Sequence, residues 1–171
     1  MARSHARDSS PLPDPTASLA FLLAQVGAHA SGVFADRLEP LDLTPPQVGV
    51  LCNIAQADGL SQQALSERLG LFPSRLVAMI DELEDRGLVE RRDSPRDRRS
   101  YALSLTGAGR DALEQIDRIG RTHQQALCAA LDESEQAQLK ELLARIAAEQ
   151  RLEPGVHPGY RRYGGAGPKG P

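Results

Sequence analysis

The sequence predicts a mainly α fold with a small β-hairpin wing, in which a helix-turn-helix is flanked by long helices from both chain ends. Three observations predict this fold. They are a pair of amphipathic helices in residues 61–86, two strand-like runs in residues 88–105, and long apolar stripes on either side. Hydrophobic residues make up 40% of the 171 positions but aromatic residues only 4%, which is typical of a helical core of Leu, Ala, Val and Ile.

The chain divides into five predicted segments. Alternating prolines predict a disordered N-terminal arm, and a Pro- and Gly-rich composition predicts a disordered C-terminal tail. Between them we expect an N-terminal dimerisation helix, a helix-turn-helix with its wing, and C-terminal dimerisation helices. In chain order the segments are residues 1–15, 16–43, 44–106, 107–151 and 152–171.

The helix pair carries clear start and stop signals. Ser61 is a suitable N-cap for the first helix, and Gly70 stands where a left-handed residue is wanted after it. Pro73 opens the second helix, where a missing N–H costs nothing. Residues at i, i+3, i+4 and i+7 predict its buried stripe, which consists of Leu76, Met79, Ile80 and Leu83.

The opposite face of the second helix carries Ser74, Arg75, Ala78 and Glu82. Small or hydrogen-bonding residues near a helix N-terminus, with one Arg that can bind O6 and N7 of guanine, suit entry into a DNA major groove. An ordinary amphipathic surface helix has the same pattern, so the helix pair alone is a weak indication of DNA binding.

A charged hairpin follows the helix pair. Residues 88–92 and 99–105 flank the connection 93–98, and Tyr101, Leu103 and Leu105 alternate with small residues, which predicts a strand with one buried face. An Arg on a projecting loop can enter a narrow minor groove while its neighbours bind phosphates. A solvated charged hairpin is the alternative. The arginines of this hairpin are Arg91, Arg92, Arg96, Arg98 and Arg99.

The net charge of −3 does not exclude a nucleic-acid partner, because local charge decides where phosphate binds. Residues 91–99 contain five arginines against Asp93 and Asp97, whereas most acidic residues lie on helices elsewhere. The wing is therefore the basic part of the molecule.

Residues 93–99 (Asp-Ser-Pro-Arg-Asp-Arg-Arg), the strand that ends at Leu105-Thr106, and the preceding residues 83–91 resemble the wing region of the MarR family of winged-helix transcription regulators. The resemblance extends over about residues 43–151. It implies that Asp97 orients a wing arginine, Arg99, for the minor groove, and that residues of the second helix read the major groove. The implied DNA-contacting set is Ser61, Ser74, Arg75, Ala78, Arg96, Arg98 and Arg99.

One departure from the family pattern concerns Val77 and Ala78, where relatives often carry a Thr or Ser and a longer polar side chain. The face that reads bases is therefore unusually apolar, which puts more weight on Arg75 and the wing.

The long apolar stripes at both chain ends exceed what the small reading module needs. A second copy of the chain would cover them most simply, giving a two-fold dimer on a palindromic site, although a compact monomer is the alternative. The resemblance also implies a small, often aromatic ligand between the dimer helices and the reading heads. The candidate lining is His29, Val33, Leu51 and His123, and core packing is the favoured interpretation for Val33 and Leu51.

The sequence supports other classes of protein less well than a DNA-binding regulator. A winged-helix protein-interaction module without DNA binding is the alternative function, but it gives no reason for the wing arginines beside Asp97. No phosphate loop, nucleophile elbow or carboxylate pair suggests an enzyme, and no cofactor or metal site is predicted. Cys52 and Cys128 form no CxxC pattern, and we expect Cys52 to be a buried, inert thiol. We expect a cytoplasmic protein with no stretch long enough to span a membrane.

Overall fold

The computed structural model describes residues 18–57, 59–93 and 101–156. The predicted N-terminal arm, most of the predicted tail and the connection of the wing at 94–100 lie outside the described residues.

In the described residues, six α-helices and three short strands follow one another, and the order agrees with the predicted one except for the additional strand at Leu60–Ser61. The helices are α1 (Leu19–Leu38), α2 (Pro45–Gln56), α3 (Gln62–Leu69), α4 (Pro73–Asp85), α5 (Gly107–Leu127) and α6 (Glu133–Glu149). The strands are β1 (Leu60–Ser61), β2 (Val89–Asp93) and β3 (Tyr101–Leu105). A 3₁₀ turn, Glu39–Leu41, follows α1.

The predicted signals of the helix pair are confirmed, because Ser61 caps α3, Gly70 has the left-handed φ of 63°, and α4 begins with Pro73 instead of a side-chain cap. Thr44 and Gln47 form a capping box before α2. Each α-helix except α4 begins after a residue whose side chain accepts a hydrogen bond from a backbone N–H of the first turn. These caps are Ser18, Thr44, Ser61, Thr106 and Asp132.

The strands form an antiparallel sheet in the order β1-β3-β2. Val89 pairs with Leu105, Asp93 with Tyr101, and the unpredicted strand β1 pairs Ser61 with Ala102. The predicted alternation along β3 is wrong, because Tyr101 is 55% exposed whereas all four following residues are buried. Because β3 is the central strand and α2, α3 and α5 pack against it, neither face of its C-terminal part meets solvent.

The hydrophobic core lies between α2, α3, α4 and the sheet. The predicted stripe of α4 is buried in it, and Leu51, Leu65 and Leu103 are fully buried at its centre. By contrast, Leu38 is the only buried residue of α1, and α6 has no buried residue within the single chain. The two ends of the chain therefore leave large apolar side chains exposed.

The prediction that no stretch is long enough to span a membrane is wrong on length and composition. Residues Leu19–Leu41 form 23 residues of helical backbone, and the most apolar 18-residue window in them has a mean hydropathy of 1.3 and is not buried within the chain. Gln25 and His29 interrupt the apolar residues singly, so they leave the average high. A helix that packs in a protein core meets the same criteria, so length and composition alone are weak evidence for a membrane segment.

The two cysteines are free thiols. Cys52 is half-buried against the core, and burial raises the pKa of its thiol. A raised thiol pKa lowers the thiolate fraction, which agrees with the inert thiol expected from the sequence.

The turn after α4 is bound directly to the start of α5. The hydroxyl of Thr106 donates to the carbonyl oxygen of Gly87 at 2.6 Å and accepts from the N–H of Gly109 at 3.0 Å. The N–H of Thr106 donates to the carbonyl oxygen of Leu88 at 3.2 Å. A Cβ atom added at Gly109 would lie 2.0 Å from that same carbonyl oxygen. Only glycine therefore permits this approach of α5 to the turn.

Replacing Gly109 by Ala should destabilise the protein by about 2 kcal/mol or more, because backbone atoms must move apart to admit the methyl group. Gly107→Ala is the matched control, since a Cβ at Gly107 meets nothing within 4 Å, and it should change stability by less than about 0.5 kcal/mol. Urea unfolding of both variants measures the difference. Equal stabilities would show that the junction is not tightly packed.

Candidate nucleic-acid interface

Helix α4 presents a small, mixed polar and apolar face to solvent. Ser74 and Ala78 are exposed, Arg75 is half-buried, and Val77 is 40% exposed. All four residues lie in the first two turns of the helix. The predicted reading residues therefore lie together on one surface.

The remainder of α4 is held by polar side chains on its other sides. Gln47 of α2 donates from Nε2 to a carboxylate oxygen of Glu82 at 2.9 Å, so Glu82, which we predicted to face outward, is bound to α2. At the end of α4, Arg86 donates to the carbonyl oxygens of Leu41 at 2.7 Å and Asp42 at 2.5 Å. These bonds connect α4 to α2 and to the turn after α1.

Arg91 does not belong to the exposed arginines of the wing. Its guanidinium forms ion pairs with Asp81 and Glu84 of α4, its backbone N–H donates to Glu84 at 3.2 Å, and its side chain is 17% exposed. Burial lowers the pKa of Arg91, but hydrogen bonds and the charges of Asp81 and Glu84 raise it more, so the pKa lies above its ordinary value. Arg91 therefore fixes β2 to α4.

The role of Arg91 has a signal in the sequence. Residues i and i+2 of a strand share a face, and Val89, two positions before Arg91, is a buried core residue. The alternation places Arg91 on the inner face of β2. Arg92, on the other face, pairs with Glu90 and keeps 61% of its side chain exposed.

Ser61 caps α3, and the first residues of α3 face α4 across a groove. The Ser61 hydroxyl accepts from the N–H of Ala64 at 3.2 Å, so its position is fixed by the cap. A groove of about 410 Å³ between α3 and α4 is lined by Gln62, Gln63, Ser66, Glu67, Pro73 and Val77. Among the described residues, the buried Nε2 of Gln62 is a donor without a hydrogen-bond partner.

The predicted minor-groove residues Arg96, Arg98 and Arg99, with Asp97, lie outside the described residues. The described strands end opposite each other at Asp93 and Tyr101.

Three of the four predicted ligand residues come together between α1 and α5. A groove of about 190 Å³ is lined by His29, Val33, Arg37, His123, Ala126 and Leu127. Leu51 is fully buried in the hydrophobic core and does not line this groove. Sequence analysis missed Arg37, which lies two turns after His29 on the same helix.

His123 lies on the wall of the α1–α5 groove. Its ring lies 5.5 Å from the ring of Phe34, centre to centre. Burial lowers the pKa of His123, and the charges of Arg37 and His29 lower it further. In the described part of the chain its buried Nδ1 has no hydrogen-bond partner. The neutral form of His123 is therefore favoured in the folded protein.

A helix-turn-helix whose second helix exposes small residues and an arginine, followed by a two-stranded wing, defines a winged-helix DNA-binding protein. Comparison with known proteins narrows this class. A model of the MarR family matches residues 43–101. The chain is 30% identical over 141 residues to the multiple antibiotic resistance protein MarR of Escherichia coli K12, covering 82% of this chain and 98% of that one.

Two solved structures of the same fold carry bound partners. The transcriptional repressor CouR bound to a 23-mer DNA duplex is 33% identical, with a TM-score of 0.71, covering 81% of this chain and 99% of that one. CouR from Rhodococcus jostii RHA1 bound to p-coumaroyl-CoA is 29% identical, with a TM-score of 0.66, covering 78% and 94%. The chain belongs to the MarR family of DNA-binding transcription regulators.

Replacing Arg91 by Ala should destabilise the protein by about 1–2 kcal/mol, because Asp81 and Glu84 lose their shared cation while remaining partly shielded from water. Arg92→Ala removes a mostly exposed neighbour and should cost less than about 0.5 kcal/mol. Urea unfolding at low and high salt measures both variants. If the two substitutions cost the same, Arg91 does not hold the wing to α4.

Proposed function

We propose that this protein is a homodimeric, ligand-responsive transcriptional repressor that binds a palindromic promoter site. The observation that carries the proposal is the exposed N-terminal face of α4, with Ser74, Arg75 and Ala78, on a fold shared with a repressor solved on DNA. The alternative, a winged-helix module that binds only protein, does not account for the similarity to this DNA-bound repressor. We propose no catalytic role, and we expect the protein to act in the cytoplasm, where its DNA is accessible.

The proposed DNA contacts divide between two grooves. Ser74, Arg75 and Ala78 enter the major groove with α4, and Ser61 approaches the backbone from the start of α3. We propose that Arg96, Arg98 and Arg99 bind the minor groove and adjacent phosphates, with Asp97 orienting Arg99. The ion pairs of Arg91 support this division, because they fix the base of the wing relative to α4.

The proposed dimer interface consists of the apolar faces at the two chain ends. Leu19 and Leu23 of α1 line an apolar groove of about 550 Å³ with Leu142 and Ile146 of α6. A second copy that inserts its own α1 and α6 would bury these side chains and supply two reading heads about one turn of DNA apart. The same interface would cover the apolar surface of residues Leu19–Leu41.

We propose that the α1–α5 groove binds a small aromatic ligand with an acidic group. Arg37 supplies a positive charge, His123 supplies an unpaired ring nitrogen, and Val33 and Leu127 supply apolar contacts. His29 also lines the groove. Leu51, the fourth predicted ligand residue, instead packs in the hydrophobic core. The bound p-coumaroyl-CoA of CouR supports a ligand response within the family.

Arg86 couples the position of α1, which lines the ligand groove, to the position of α4, which we propose binds DNA. It binds the carbonyl oxygens at the end of the turn that follows α1, so a shift of α1 would move the end of α4. A ligand that prefers one position of α1 would then favour one spacing of the reading heads. Such a ligand changes DNA affinity only by its different affinities for the two spacings.

Arg75→Ala and Arg99→Ala together test the two proposed grooves. Arg75→Ala should weaken binding by about 1–3 kcal/mol and relax preference at one base position in each half-site. Arg99→Ala should weaken binding without unfolding the protein. Fluorescence anisotropy on the operator and on single-base variants measures both. An equal loss on every sequence would reduce Arg75 to a phosphate contact, and an unchanged affinity would remove Arg99 from the interface.

Protonation of His123 should destabilise the folded protein, because its folded-state pKa lies below that of the unfolded chain. This part of the stability is present above a pH of about 6.5 and is lost as the pH falls through the window between the unfolded and folded pKa values. His123→Phe keeps the ring against Phe34 and should reduce the difference in urea midpoint between pH 7.5 and pH 5.5, at one fixed protein concentration. A variant that retains the full difference would assign it to other groups.

A further inference from the structure

The exposed face of α4 contains an apolar side chain, Val77, that does not belong to the buried core. The other large apolar residues of the helix, Leu76, Met79, Ile80 and Leu83, are at most 9% exposed, but Val77 is 40% exposed. Ser74 and Ala78, one turn before and one position after it, are also exposed. Val is a poorer helix former than Ala or a charged residue, and here 40% of its surface stays exposed instead of joining the core. The stability of the helix therefore gives no reason for Val77.

DNA offers one apolar group to such a side chain. In the major groove the edges of adenine, guanine and cytosine present polar hydrogen-bonding atoms, whereas thymine presents the C5-methyl group beside the acceptor O4. A polar edge pressed against Val77 would lose hydrogen bonds to water without replacement. A methyl group would instead leave water, which is favourable.

The groove beside Val77 is apolar on one side only. Val77 and Pro73 form its α4 wall, and polar side chains of Gln62, Gln63, Ser66 and Glu67 form its α3 wall. The apolar surface of this groove therefore belongs to α4, where Val77 matches the methyl group that thymine displays in the major groove.

We propose that Val77 determines specificity by packing against the 5-methyl group of one thymine in each operator half-site. The proposal rests on the DNA-binding function proposed above and adds to it the base that the apolar part of α4 reads. Arg75 then reads a guanine by hydrogen bonds, and Val77 reads a thymine by burial of its methyl group.

Deoxyuridine tests this contact, because it lacks only the 5-methyl group of thymine. The operator is first selected from random duplexes with the wild-type protein. Each thymine is then replaced by deoxyuridine symmetrically in both half-sites, and dissociation constants are measured for the wild type, Val77→Ala and Phe72→Ala. Phe72, the exposed aromatic residue just before α4, is the matched control for a neighbouring apolar side chain.

At one thymine position the wild type should lose affinity about fourfold per half-site, which is the loss expected for one buried methyl group. Because the replacement is made in both half-sites, the total loss should be roughly fifteenfold. Val77→Ala should lose less than about twofold at that position, and Phe72→Ala should retain the full loss. The proposal is overturned if no replacement weakens the wild type, if Val77→Ala keeps the sensitivity, or if Phe72→Ala removes it. Failure to select any shared sequence would instead contradict the regulator function itself.

Discussion

The junction between the turn after α4 and the start of α5 is the constraint on which the rest of the structure depends. Thr106 binds the carbonyl oxygens of Gly87 and Leu88, and Gly109 lets the backbone of α5 approach Leu88 within a distance that no side chain would permit. The end of the reading helix, both wing strands and the first long helix of the C-terminal half meet here. The reading module and α5 must therefore move as one body unless the junction opens.

Polar bonds, rather than apolar packing alone, fix the direction of α4. Its buried stripe would tolerate small rotations, but Glu82 is bound to Gln47, Arg86 to the turn after α1, and Arg91 to Asp81 and Glu84. Directional bonds of this kind define one orientation more sharply than a hydrophobic contact does. A helix that is fixed in this way can present Arg75 and Val77 to DNA in a single register.

The sequence predicts the helices and their caps well, because periodicity and capping are local. Ser61, Thr44 and Gly70 act in the structure as their types suggest. The features that the sequence does not predict depend on contacts between residues far apart in the chain. The strand β1 and the burial of Ser104 follow from the central position of β3 in the sheet. The role of Arg91 depends on its ion pairs with α4, and Leu51 is excluded from the α1–α5 groove because it packs in the core.

The DNA sites that the protein selects test most directly whether a shared apolar interface holds two DNA-binding heads together. Purified protein is incubated with fragmented DNA of its source genome at moderate salt, and the retained fragments are sequenced. If the protein binds DNA as a two-fold dimer, we expect a few enriched sites that share an inverted repeat, with half-sites about 10 base pairs apart from centre to centre. Retention of all fragments alike, or of single half-sites without a repeat, would contradict it.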